Sequence, residues 1–303
     1  MNAPYLSKDD VEQIVSGIEV VGSGVSGGQK TVFACMFNGK KYAIKFVLLY
    51  NTSHDAEEFI KVEAETTFAR VKREIDIMQK IDSHNVVKMG PIPLTEVEYK
   101  NQRLLYYMEE WIEGEVLQEI VLRQKTLSIK ESLLMCRDIL KGIEIIWSLN
   151  SVHRDIKPQN IIRRSTDGTY VLLDMGVAFD LNDKSLTSYG FVPGTKLYFS
   201  PEQLDFNNKR NIDFRSDVFS LGIVLYIALT GKHPFYEQGV TEDVLFQRIR
   251  QGIFCPPIIY NINIPTNVNN IVCRMLNSQP HSRYRKCSIL LSELDLILNQ
   301  MEV

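Results

Sequence analysis

Cysteine is sparse in this chain and forms no pattern. The five residues (Cys35, Cys136, Cys255, Cys273, Cys287) are odd in number, widely spaced and without a C-x-x-C. Disulfide frameworks and zinc sites need paired or clustered thiols, so reduced core thiols in a reducing compartment are expected. Histidine is equally scarce, with no H-E-x-x-H and no His–Cys cluster among five residues, which speaks against a structural metal. No long hydrophobic run exists either. The longest, Val218 to Leu229, has 12 residues and contains Ser220 and Gly222. A bilayer span needs ~20. Charge of one sign is not in excess: 34 basic against 37 acidic residues leave −3, the balance of neither a general nucleic-acid binder nor an anionic-membrane binder. The opening MNAPYLSKDD has neither the basic start nor the apolar core of a secretory signal, so a cytoplasmic location is expected.

What is present is ordinary for a folded chain: 45% hydrophobic and 23% charged residues over 303 positions. Ser7-Lys8-Asp9-Asp10 reads as a helix cap ahead of Val11, Ile14 and Val15. Ile18–Val21, Thr31–Phe37 and Lys41–Leu48 are short, β-branched and aromatic, and read as strands. Asn38-Gly39 between the last two is a tight hairpin signal. Val71–Ile81 places Val71, Ile75, Met78 and Ile81 on one helical face, and Leu104–Met108 reads as another strand. Beyond Glu113-Gly114 the pattern turns helical. Ser128 to Glu131 is a capping box, followed by Leu133, Cys136, Leu140, Ile143 and Trp147 on one face. Phe214–Thr230 and Ser288–Gln300 are further helices. Strands first and helices afterwards predict an α+β protein in two lobes, with the boundary near residues 109–114.

Gly22-Ser23-Gly24-Val25-Ser26-Gly27 fits G-x-G-x-x-G, a weak signal alone. Here a strand precedes it and a hairpin follows, with Ala43-Ile44-Lys45 where a dinucleotide site would carry an acid. A glycine loop between two strands can fold over phosphates. The decisive stretch is His153-Arg154-Asp155-Ile156-Lys157-Pro158-Gln159-Asn160, followed by Leu173-Asp174-Met175-Gly176 and by Ser200-Pro201-Glu202. Phosphoryl transfer needs a carboxylate to orient the attacking hydroxyl, oxygen ligands for Mg²⁺ and fixed cations for the phosphates. Asp155, Asn160, Asp174, Lys45 and Lys157 supply those types.

At these residues the sequence resembles the eukaryotic-type serine/threonine protein kinase family, whose catalytic loop reads H-R-D-x-K-x-x-N. The resemblance runs from about Ile18 to Leu298. It includes Arg73-Glu74-Ile75 at the regulatory helix, Gly194 to Glu202 at the G-T-x-x-Y-x-x-P-E segment, Asp217 behind the catalytic loop, and Arg283 as partner of Glu202. It implies a bilobal kinase-like fold: residues 1–17 an N-terminal extension with a short helix, 18–113 a small antiparallel β-rich lobe with one regulatory helix and the hinge, and 114–303 a larger, mainly helical lobe. It implies ATP and Mg²⁺ as cofactors, protein substrates, and transient self-association for autophosphorylation, with no nucleic acid and no membrane span.

The roles implied are specific. Gly22, Ser23, Gly24, Val25 and Gly27 cover the phosphates, Ala43 lies beside the base, and Lys45 holds the phosphates, itself positioned by Glu74. Met108 stands at the back of the adenine pocket, main-chain groups of Glu109 and Trp111 bond the base, and Glu115 takes the ribose. Asn160 and Asp174 hold Mg²⁺, Asp155 receives the hydroxyl proton, and Lys157 together with Thr195 indicates serine/threonine over tyrosine. Arg154 reads a phosphate at Thr187 or Ser188. Cys136, Met135, Trp147, His84, Asp217 and Arg283 are assigned to architecture. Two departures stand out. Gly28-Gln29-Lys30-Thr31 intervenes before Val32, where the family has its valine two residues after the third glycine. Lys45 and Glu74 are also further apart than is usual, which predicts a polar surface insertion at Asn51 to Glu58 and makes Glu65 a competing partner. Two rivals remain: a pseudokinase that binds nucleotide without transfer, and a small-molecule kinase of related fold.

Overall fold

The structure is a computed structural model that describes residues 3–27, 30–52, 58–174, 179–180, 195–205 and 212–301. The chain divides into two compact units, Met1–Asp82 with Val87–Ile112, and Ser83–Val86 with Glu113–Val303.

The first unit is a five-stranded antiparallel sheet in the order β1-β2-β3-β5-β4, with β1 Ile18–Gly27, β2 Lys30–Phe37, β3 Lys40–Asn51, β4 Thr95–Tyr99 and β5 Gln102–Glu110. Asn38 (φ 50°) and Gly39 (φ 73°) close the β2–β3 hairpin in the positive-φ geometry that the dipeptide favours. One face of the sheet is sealed by helix α1, Lys8–Ile14, whose Ser7 and Asp10 form the reciprocal cap. Leu6, Val11 and Val15 pack there with Val20, Phe33, Cys35, Ile44, Phe46, Leu104 and Met108.

The helix expected over Val71–Ile81 is much longer, α2 running Glu58–Met78. Its buried stripe is Ala64, Thr67, Val71, Glu74, Ile75 and Met78, with Ile77 buried beside it. The stripe keeps helical spacing, but alanine, threonine and glutamate occupy half of it, so hydrophobic periodicity marks only its last turns. Part of the expected polar insertion is therefore strand and helix, and residues 53–57 lie outside the described residues.

The second unit opens with β6 Gly114–Val116 and helices α3 Leu117–Gln124 and α4 Ile129–Ser148. Ser128 caps α4 by accepting the Glu131 N–H. Strands β7 Ser151–Val152, β8 Ile161–Arg164, β9 Tyr170–Leu172 and β10 Phe179–Asp180 follow, and then α5 Phe214–Thr230, α6 Glu242–Gln251, α7 Thr266–Met275 and α8 Cys287–Gln300. Helix α5 is buried nearly all round, as its unbroken apolar run requires. No helix among the described residues is long and apolar enough to cross a membrane.

All five cysteines are free. Burial pushes the Cys35 thiol up to about 11 and Cys287 up to about 12, so both stay protonated and inert. Cys255 is exposed and Cys273 half-buried, so the expectation of five core thiols holds only for Cys35, Cys136 and Cys287.

Candidate active site

The second unit builds its site on a turn held by one aspartate. Asp217, in the first turn of α5 and 1% exposed, accepts the backbone N–H of His153 and of Arg154, each at 2.8 Å. Arg154 has φ 66°, a conformation that costs a branched or long residue on the order of 1–2 kcal/mol. Two bonds secure it, since the Arg154 carbonyl also accepts from Gln203 Nε2 at 3.0 Å. Burial raises the Asp217 pKa, opposed by His153 and the two N–H donors.

That strained turn delivers Asp155. Its Oδ2 accepts from Lys157 Nζ at 2.8 Å and from Asn160 Nδ2 at 2.9 Å. Asn160 Nδ2 also reaches the Asp155 carbonyl at 2.9 Å, so one amide clamps both ends of the residue. Asp155 Oδ1 is buried and accepts no hydrogen bond from the described residues. Burial raises the Asp155 pKa, Lys157 and His153 pull it back, and the neighbouring Asp174 adds to the rise. Asp174 itself sits at φ 54°. The segment before it is tied to the catalytic loop, Leu173 N–H donating to the Asn160 carbonyl at 2.8 Å and the Leu173 carbonyl meeting His153 Nε2 at 3.2 Å.

The donor set suits a hard divalent cation. Both described side-chain bonds of Asn160 use its amide nitrogen, so its carbonyl oxygen is the end that would meet a cation, and Asp174 would add a carboxylate.

In the first unit, strand alternation sorts the candidates. Cross-strand pairing sets Ala43 opposite Glu109 and Lys45 opposite Tyr107, all on one face of the sheet. Met108 falls between them and packs into the α1 core on the opposite face, so it is not on the face of Lys45. Glu109, expected to act through its main chain, presents a buried carboxylate whose Oε2 lies 2.8 Å from Lys45 Nζ. Glu74 is 1% exposed, whereas Glu65 faces solvent, which separates the two acids. Glu74 meets Lys30, whose Nζ is 2.8 Å from Oε1 and 3.1 Å from Oε2, and Tyr107 Oη donates to Oε1 at 3.2 Å.

The glycines divide as well. Gly22 (φ +84°) and Gly24 lie inside β1 at a register shift, and a Cβ on Gly24 would sit 2.5 Å from the Phe33 ring. Packing thus demands Gly24. The exposed Ser23 and Val25 are also part of this strand, which pairs on to Gly27↔Lys30. Gly22–Gly27, read as a loop in the sequence, is therefore part of strand β1. Glu115 forms a two-point ion pair with Arg123, Oε2 accepting from Nη2 at 2.9 Å, which holds its carboxyl below the usual range. Trp111 carries the Lys41 ammonium 4.3 Å above its ring. Thr187 and Ser188 lie outside the described residues.

Sequence reasoning missed Lys30, Tyr107 and the Glu109 carboxylate. Period-two alternation from Lys45 across β2 and β5 is the signal that finds all three.

The model of the protein kinase domain matches residues 16–293. The chain belongs to that family. The kinase domain is 28% identical to a probable serine/threonine-protein kinase of Clostridium acetobutylicum over 90% of this chain and 38% of that protein. It is 32% identical to calcium-dependent protein kinase 5 of Plasmodium berghei over 69% of this chain and 35% of the other. It is 30% identical to serine/threonine-protein kinase PknB of Mycobacterium tuberculosis over 67% and 32% respectively. The kinase domain thus spans about a third of the length of the curated relatives that it matches.

Proposed function

We propose that this domain transfers the γ-phosphoryl group of ATP to serine or threonine hydroxyls of protein substrates. The observation that carries the reading is Asp155: one carboxylate oxygen fixed by Lys157 and Asn160, the other buried and without a hydrogen-bond donor among the described residues. A hydroxyl donating to Oδ1 would be oriented for in-line attack and lose its proton to this carboxylate. Lys157, bound to Asp155, lies beside the oxygens of the transferring group in this reading. Lys45 supplies the fixed cation for the nucleotide phosphates. Asn160 and Asp174 would hold Mg²⁺, which when bound neutralises the charge on the phosphate oxygens. Family membership supports ATP and Mg²⁺ as the general partners, and the names of the relatives support serine/threonine substrates.

The proposal extends to control. Arg154 directly precedes Asp155 and is fixed by Asp217 and Gln203, so a phosphate on Thr187 or Ser188 that reached its guanidinium would be read at the catalytic loop.

The test is a peptide array exposed to purified protein, Mg²⁺ and γ-labelled ATP. Label on serine or threonine peptides is the expected result. Nucleotide binding with no transfer would make the domain a pseudokinase, and label confined to small hydroxylated compounds would make it a small-molecule kinase.

A further inference from the structure

The segment ahead of β1 is bonded to both β1 and β2. The Pro4 carbonyl accepts from Thr31 Oγ1 at 2.6 Å, and both residues are buried. Thr31 faces Ser26 across the β1–β2 ladder, with their hydroxyl oxygens 3.1 Å apart. A threonine hydroxyl has a single proton, here directed to Pro4, so Ser26 is the donor to Thr31. The bonds therefore run in one order, from Ser26 on β1 through Thr31 on β2 to the Pro4 carbonyl. A second link reaches β1 directly: Glu12 Oε1, on α1, accepts the Val20 N–H at 2.7 Å, two residues before Gly22.

The segment is itself anchored at the far edge of the sheet. Asp10 Oδ1 accepts from Lys100 Nζ at 2.6 Å and from Tyr99 Oη at 2.9 Å, and Tyr99 ends β4, the edge strand opposite β1. Leu6, Val11 and Val15 fill the space between, in one core with Phe33. Gly24 already rests on that ring, where a Cβ would have no room.

We propose that residues 4–12 are a strap that sets how β1 and β2 sit over the nucleotide, with Thr31 as its positioning residue. The proposal rests on the kinase reading above and goes beyond it, because the match to the kinase domain begins at residue 16. Thr31 pairs with Phe46 while Val32 pairs with Lys45, so the strap pulls on the face away from Lys45. It therefore acts on the grip on nucleotide and leaves the transfer step to the catalytic loop.

The experiment compares full-length variants by kcat and KM for Mg·ATP with one peptide substrate. Thr31→Val keeps the shape and removes the hydroxyl, so KM should rise about 3- to 10-fold, as the loss of one hydrogen bond allows, with kcat within about twofold. Thr31→Ser, which keeps the hydroxyl, should restore KM. Glu12→Ala should raise KM in the same way, and Glu12→Gln, which keeps an acceptor oxygen, should not. Amide hydrogen exchange should speed up at residues 20–27 in Thr31→Val and stay unchanged in β4 and β5. A lowered melting temperature with KM and that exchange both unchanged would overturn the proposal, since the bonds would then only stabilise the sheet. Calorimetry with Mg·ATP keeps the two readings apart. A wild type that binds Mg·ATP without transferring phosphate defeats the kinase reading, while weaker binding by Thr31→Val still supports the strap. An active wild type whose Thr31→Val variant keeps full affinity defeats the strap alone, and a wild type that binds no Mg·ATP defeats both.

Discussion

Arg283 Nη1 lies 2.6 Å from Glu202 Oε1 and its Nη2 lies 3.0 Å from Oε2, with the arginine side chain wholly buried. The rest of the guanidinium is used up by the carbonyls of Asn277, Arg215 and Ser278, and its Cζ lies 4.7 Å from the centre of the Phe219 ring. Arg283 is thereby a strut between the Ser200-Pro201-Glu202 turn, α5 and the segment after α7.

Removing one end of that strut leaves a charge in a cavity without its counterpart. Glu202→Ala is expected to destabilise the protein by about 3–5 kcal/mol, measured by denaturant unfolding. An unchanged midpoint would mean that solvent screens the pair.

Asp217 acts on the catalytic loop through two N–H bonds, so its loss should reach activity before stability. Asp217→Asn puts an amide where two donors already converge, and one of them must be given up. Turnover should fall by about 10²-fold, with the melting temperature lowered far less in proportion. Retained turnover would show that Arg154 holds its left-handed geometry without the aspartate.

Asp155→Asn, Asp174→Asn and Lys45→Met should each lower phosphoryl transfer by on the order of 10²-fold or more while circular dichroism stays that of the native protein. The two aspartate variants should part on nucleotide binding. Calorimetry with Mg·ATP should show affinity kept in Asp155→Asn and lost in Asp174→Asn.

The pH profile of kcat/KM follows from the burial of Asp155. Its pKa lies above the ordinary carboxylate value, and the proton-accepting form is the deprotonated one. Activity should therefore fall on the acid side at a pH higher than an exposed aspartate would give. Lys157→Met removes the cation that opposes this rise, so the acid limb should move further up. A limb that stayed in place would separate Asp155 from the proton transfer.

Stability has its own acid limb, set by His233. Its Nε2 meets the Leu197 carbonyl at 2.9 Å and its Nδ1 accepts the N–H groups of Phe235 and Tyr236 at 3.1 and 3.0 Å. Burial lowers its pKa from 6.5 to about 4. The unfolded chain therefore binds the proton first. Stability should be full above pH 6.5 and decline as the pH falls toward 4, by on the order of 3 kcal/mol. In His233→Asn, whose side-chain oxygen can accept the same N–H groups, unfolding midpoints should lose that dependence.

Autophosphorylation tests the proposed switch. Mass spectrometry after incubation with Mg·ATP should find phosphate on Thr187 or Ser188, and Arg154→Ala should lose the accompanying activation. Full activity in a Thr187→Ala, Ser188→Ala double variant would remove the switch.

How much of this was legible in the sequence depends on how local each feature is. The Ser7–Asp10 and Ser128–Glu131 caps, the Asn38-Gly39 turn and the bounds of α5 are fixed by side chains within a few residues of one another, and the structure reproduces them. The H-R-D-x-K-x-x-N run likewise carries its chemistry in contiguous residues, so Asp155, Lys157 and Asn160 meet as a short turn must bring them together. The buried pairing of Glu202 with Arg283 was legible only through the resemblance, because nothing local links positions so far apart.

The partners of Lys45 and Glu74 belong to tertiary structure alone. Which acid meets which lysine is set by strand register, and a slip of one residue exchanges Met108 for Glu109 on the face that carries Lys45. The length of α2 escaped for a related reason, since a helix stripe built on Ala64, Thr67 and Glu74 shows little apolar period until the sheet is there to bury it. Local chemistry wrote the caps, the turns and the catalytic loop into the sequence. Long-range pairing assigned Glu74 to Lys30, because only the assembled sheet places β2, β5 and α2 within reach of one another.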